Sequence, residues 1–143
     1  MTRTGHPLLA LRPWRRHSLV LAVAGLVYIL IGLVYILVPL TVDRSVALEL
    51  ALRVAPPQVW GGVWVIVGLL SLASTRWPPT SETWGYTSMS SLAALWAAIY
   101  ALSMLFFGAP RTGVTAVAVW SLLAFMWWSI SGLRNPDDIP RAR

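Results

Sequence analysis

The sequence contains no cysteine and no lysine. The first absence excludes disulfides, thiolate metal sites and a cysteine nucleophile, and leaves the compartment open. The second means that all eleven basic residues are arginines. Charge of either sign is scarce: 11% of the 143 residues carry one, against 57% that are hydrophobic. An ordinary soluble domain carries about 25% charged residues. A soluble chain of this length also keeps roughly a third of its unfolded surface exposed, too much to hide such a composition from water. Hydrocarbon must therefore act as solvent for much of the chain. The length allows one small domain.

Acids and histidines are equally sparse. Asp43, Glu49, Glu82, Asp137 and Asp138 all fall outside the apolar runs, and the adjacent last pair reads as a solvated tail. His6 and His17 stand eleven residues apart in a basic leader, without metal-ligand spacing. No set of residues suits catalysis, so neither an enzyme nor a bound cofactor or metal is expected. Ionisable residues inside a membrane mark proton relays and ion paths. The apolar runs hold none, which argues against a coupled transporter. The net charge of +6 invites a nucleic-acid reading. Its arginines, however, flank apolar runs, where topology accounts for them, and no nucleic-acid partner is expected.

Four stretches cover residues 18–40, 57–76, 84–107 and 113–133, without formal charge except for Arg76, which closes the second. Each is long enough to cross a hydrocarbon core of about 30 Å, which takes about 20 helical residues. Prolines punctuate them: Pro39 ends the first, Pro56-Pro57 opens the second, Pro78-Pro79 follows it, and Pro110 follows the third. Helices satisfy every backbone group within the segment, and continuous apolar runs do not suit a β-barrel. The expected fold is an all-α integral membrane protein, a four-transmembrane-helix bundle. A basic leader (residues 1–17) precedes it and a tail (residues 134–143) follows. The leader and first run resemble a secretory signal, but 23 apolar residues exceed the usual 7–15 and no small-x-small cleavage site follows. An uncleaved helix is expected.

Arginines orient the bundle. Arg3, Arg12, Arg15, Arg16, Arg76, Arg134, Arg141 and Arg143 fall on one side, and Arg44, Arg53 and Arg111 on the other. The positive-inside rule places the larger group, with both chain ends, in the cytoplasm; Arg12, Arg15, Arg16, Arg76 and Arg134 serve as topology anchors. The leader arginines beside Trp14 also suit anionic lipid headgroups. Trp14, Trp77, Trp84, Trp127 and Trp128 are expected near the inner headgroups, and Trp60 at the outer boundary. In the first outer loop, the segment 46–54 is rich in helix formers, with Glu49 and Arg53 in the favourable i, i+4 order. It also alternates with period two. A short helix lying at the interface is favoured; a plain connector and a strand both fit the pattern.

The spans carry a packing code. Gly-Leu-Val-Tyr-Ile-Leu occurs twice in the first, a heptad apart, and places Gly25, Tyr28, Gly32 and Tyr35 on one seam. The second span repeats the theme with Gly61, Trp64, Gly68 and Ser71. Run antiparallel, the two seams could mesh with rings over glycines, since close approach through small residues drives association in lipid. Tyr28, near mid-membrane, should seek a Ser or Thr on another helix. The third span is small on nearly every side. Thr87, Ser88, Ser90 and Ser91 crowd its first half, followed by Ala94, Ala98 and Ala101 on one face and Ala93, Ala97 and Ala101 on another. Tight packing inside one bundle is the expectation for it. An oligomer interface, or a polar path through Thr87, Ser88, Ser91 and Ser103, is the alternative.

The glycine-x-x-aromatic helices, together with the run Trp127-Trp128-Ser129-Ile130-Ser131-Gly132-Leu133-Arg134-Asn135-Pro136, resemble small four-helix membrane proteins of actinobacterial bacteriophages. Some of these belong to lysis clusters as holins. The resemblance implies a protein of the bacterial (host) cytoplasmic membrane that assembles laterally into lesions and so promotes host cell lysis. Membrane lipid and further copies of the chain, as a homo-oligomer, would be its partners. An accessory protein that binds another membrane protein, or excludes a superinfecting phage, is the alternative; a small transporter ranks third.

Overall fold

The computed structural model describes residues 16–39, 48–76, 80–108 and 112–132. They form α1 (Arg16–Leu37), α2 (Glu49–Val54), α3 (Pro57–Ser74), α4 (Thr80–Phe107) and α5 (Thr112–Ser131), with no strand among the described residues. All but the short α2 are long and apolar enough to cross a membrane, as the four uncharged runs predict.

The boundaries differ from the sequence reading in ways that local chemistry explains. α1 stops at Leu37 rather than residue 40, because the residue before Pro39 is pushed out of the helical region. α3 stops at Ser74; Thr75 and Arg76 form a closing turn whose N–H groups reach the carbonyls of Leu72 and Ala73. α4 starts at Thr80, four residues before Trp84, and takes Glu82 into its first turn. A carboxylate is favourable there, beside the positive end of the helix dipole. α4 closes on Gly108, whose φ of +64° is the left-handed conformation that commonly ends a helix. α5 ends at Ser131, two residues short of the expected limit.

Residues 49–54 of the segment with two competing periods form a helix, α2, so the connector and strand readings fall for them. Glu49 and Arg53 pair at 2.7 Å along it. Leu48 and Ala51 are buried beneath. Arg53 stands 4.5 Å over the ring of Phe107 at the end of α4, and Trp60 Nε1 of α3 donates to the Ala51 carbonyl at 2.9 Å. These contacts tie α2 across the ends of α3 and α4.

Neighbouring long helices run antiparallel. Gly25 lies against Gly68 and Gly32 against Gly61, which sets α1 against α3. Gly85 lies against Ser74, and Ser90 Oγ donates to the Ala124 carbonyl at 2.8 Å, which set α4 against α3 and α5. α1 and α4 run parallel across a diagonal, linked by Ser18 to Glu82 and by Tyr28 to Met89. The bundle is a square with three packed sides, α1–α3, α3–α4 and α4–α5; on the fourth, α1 and α5 barely touch. Large side chains such as Leu30, Ile66, Leu105 and Phe125 stand exposed around the outside. An apolar surface of that extent belongs against hydrocarbon or another protein.

Candidate functional site

The helix pair α1–α3 meets through its glycines. A methyl group on Gly25 would stand 2.9 Å from the carbonyl oxygen of Gly68, and one on Gly68 would stand 2.6 Å from that of Gly25. The antiparallel seam reading set rings over glycines; in the structure glycine backbone lies on glycine backbone. Backbones this close leave no room for a ring between them. Tyr28 and Trp64 instead meet each other on one flank of the seam, centroids 4.8 Å apart. Ser71 is buried beside Gly25 and turns its hydroxyl back to the Val67 carbonyl.

That flank faces α4, and Trp96 fills it. Its ring meets Tyr35, Trp60 and Trp64 edge-on at 5.9, 5.1 and 5.6 Å, and Trp64 continues to Trp120 of α5 at 5.2 Å. Each edge-on pair adds about 0.5–1.5 kcal/mol to what burial supplies. One aromatic column thus joins all four long helices. Tyr28 donates to the backbone carbonyl of Met89 at 3.1 Å, rather than to the Ser or Thr expected. A helical carbonyl has a second lone pair, so it accepts this bond without giving up its own. Trp127, expected at the inner headgroups, is only 9% exposed and stacks on Tyr86 at 5.9 Å, whereas its neighbour Trp128 and the earlier Trp84 are exposed.

The two small-residue faces of α4 part company. Ala93 and Ala97 are buried in the bundle. Thr87, Ser91, Ala94, Ala98 and Ala101 follow i, i+4, i+7, i+11, i+14 and are all exposed. Ala94 and Ala98 therefore stand clear of the packing among the described residues. The four hydroxyls of the expected polar path are not brought together either. Thr87 and Ser91 face outward, Ser88 bonds back to the Gly85 carbonyl at 2.9 Å, and Ser103 is fully buried with no hydrogen-bond partner for Oγ.

Glu82, which the sequence places outside the apolar runs, is taken into α4 by the structure. It is 7% exposed, inside α4, and accepts a 2.5 Å hydrogen bond from Ser18 Oγ at the head of α1. Tyr86, one turn further along α4, is buried as well. The cue was present in the sequence, since Glu two residues after Thr80 and just past two prolines is an ordinary first-turn acid. Of the topology anchors, Arg16 opens α1 and Arg76 is exposed in the turn after α3, while Arg12, Arg15 and Arg134 lie outside the described residues.

The open side of the square holds a groove of about 440 Å³. Val23, Val27 and Ile31 of α1 form one wall, Trp120 and Leu123 of α5 the other, and Tyr28 and Trp127 close it at the depth of the core. The Trp127 N–H lacks a hydrogen-bond partner there. No pattern in the sequence marks this groove, because it depends on two helices that do not pack together. Comparison of the chain with protein-family models, curated proteins and solved structures finds no match.

Proposed function

We propose that this chain is a multi-pass protein of a bacterial cytoplasmic membrane that assembles laterally with its own copies, in the manner of a holin. α1, α3, α4 and α5 cross the bilayer. The end that holds Ser18 and Glu82 faces the cytoplasm, because eight of the eleven arginines group there. The observation that carries the reading is the uncovered face of α4. Small residues at helical spacing let two helix backbones approach, and this close packing is the main source of attraction in lipid. The glycine seam and the Ala93–Ala97 face are used up inside the chain, and Thr87, Ser91, Ala94, Ala98 and Ala101 remain for a second copy.

Glu82 does not make this a coupled transporter. The 28 residues of α4 span about 42 Å at about 1.5 Å each, roughly 12 Å more than the hydrocarbon core. A centred helix leaves its first turn, with Glu82, at headgroup depth rather than near the midplane where relays work. The test is induced expression in a bacterium with a potential-sensitive dye. A holin-like protein halts growth abruptly and collapses the membrane potential, and Ala94→Leu with Ala98→Leu delays both. Benign accumulation contradicts the reading.

A second reading draws on the filled interior. The aromatic column leaves no polar passage among the described residues of one copy, which suits an accessory protein whose exposed α4 face binds a different membrane protein. Gentle detergent extraction separates the two: a stoichiometric foreign partner favours the second, a homo-oligomer the first.

A further inference from the structure

Across the fourth side of the bundle, a donor without an acceptor stands opposite an acceptor with lone pairs to spare. Trp127 of α5 is buried, and its indole N–H has no hydrogen-bond partner among the described residues. It is turned toward the Tyr28 hydroxyl oxygen of α1 without meeting bonding geometry. Tyr28 gives its own proton to the Met89 carbonyl, so its oxygen is left to accept. Both side chains lie at the foot of the groove between α1 and α5, whose other lining is hydrocarbon and the Trp120 indole. Neither those walls nor lipid tails offer the Trp127 proton another acceptor.

The packing shows which element can move. α1 is held to α3 through the glycine seam and to α4 through Ser18–Glu82 and Tyr28–Met89. α5 packs along α4, where Ser90 bonds the Ala124 carbonyl and Gly113 lies against Met104. It is the least buried of the four long helices. Toward the interior it is held by two ring contacts, Trp64–Trp120 and Tyr86–Trp127. Such contacts tolerate a range of offsets, whereas a backbone-to-backbone seam does not. We infer that α5 swings about α4 onto α1, and that the Trp127 N–H, donating to Tyr28 Oη, latches the fourth side shut. The groove is the open position of this latch. Closure brings the Leu123 wall against the Val27 wall and turns three packed sides into four. The inference rests on the membrane placement proposed above, where no water competes for the indole proton. It is independent of whether the protein forms lesions.

A chain without cysteine allows the closed position to be trapped. Val27→Cys with Leu123→Cys puts one thiol on each wall of the groove. Oxidation with copper phenanthroline in bacterial membranes should join them within one copy, because closure brings their Cα atoms within about 7 Å. Loss of both thiols from the monomer, read by intact mass, reports it. Adding Trp127→Phe keeps a ring against Tyr86 and removes the donor. Cross-linking should then slow about fivefold, the net worth of one neutral hydrogen bond. Trp128→Phe, at the exposed neighbour, should leave the rate unchanged. On the chain without cysteine, the Trp127 indole N–H resonance in micelles should move upfield in Tyr28→Phe, as a donor that loses its acceptor does. No internal disulfide, equal rates in the two phenylalanine variants, or an indole resonance indifferent to Tyr28→Phe overturns the latch. Disulfides that link two copies also overturn it, in favour of a second copy seated on this side. An internal disulfide that depends on Trp127, in a protein that never depolarises a membrane, keeps the latch and removes only the holin reading; a chain soluble without detergent removes both.

Discussion

Gly32 and Gly61 face each other so closely that a methyl group on either would stand 2.6 Å from the carbonyl oxygen of the other. The contact is between backbones, so no side-chain rotation relieves it. Gly32→Ala or Gly61→Ala should therefore cost about 1–3 kcal/mol, the usual range for overpacking. Gly62, next in sequence, has nothing within 4 Å of where its Cβ would stand. Gly62→Ala should be neutral or gain up to about 1 kcal/mol of helix propensity. Thermal unfolding in detergent, followed by circular dichroism, compares them. Equal losses at positions 61 and 62 would refute the seam.

Ser18 and Glu82 form a buried donor–acceptor pair between the heads of α1 and α4. A hydrogen bond to a charged group contributes about 1.5–3 kcal/mol, and removing only one partner leaves the other unsatisfied. Ser18→Ala should be destabilising by about that amount alone. Combined with Glu82→Leu, it should be close to neutral, because both polar groups then vanish together. A double-mutant cycle with no coupling between the two positions would show the pair to be incidental.

Ser103 is the reverse case, a hydroxyl wholly buried and without a partner. Ser103→Ala removes an unsatisfied polar group without opening a cavity. It should raise stability by about 1–3 kcal/mol. If Ser103 instead lined a water path, the alanine variant would leave stability unchanged and slow lesion formation.

Ala93 and Ala94 are neighbours with opposite surroundings, one buried and one exposed. Ala93→Leu should lose about 1–3 kcal/mol through overpacking. Ala94→Leu should stay within about 0.5 kcal/mol of the parent, as surface substitutions do. The same unfolding measurement in monomer-stabilising detergent distinguishes them.

These pairs also show what the sequence could and could not disclose. Hydrophobic length alone located the four long helices, because a run without charge has few other uses. The spacing of Gly25, Gly32, Gly61 and Gly68 disclosed a seam, since period-seven repeats place residues on one face. It did not disclose register: only three-dimensional pairing sets glycine on glycine and sends the rings to Trp96. Glu82 was hidden by its charge, which marks a loop until a partner such as Ser18 is in view. Trp127 and Trp128 are indistinguishable as a string, yet about 100° of helical rotation separates a ring stacked on Tyr86 from one on the outside. The same rotation separates Ala93–Ala97 from Ala94–Ala98. α2 satisfied two periodicities at once, and its contacts with Trp60 and Phe107 decided for the helix.

A cysteine-free chain permits a direct test of the α4 face. Ala98→Cys, expressed at low level in bacterial membranes and oxidised with copper phenanthroline, should form disulfide-linked dimers in high yield. Disulfides need Cα atoms within about 7 Å, so only a face in contact with a second copy can react this way. Ala97→Cys, buried within one copy, should not cross-link. Dimers at position 98 and none at 97 are the predicted result; no cross-link at 98 while the protein resides in the membrane would contradict lateral assembly through α4.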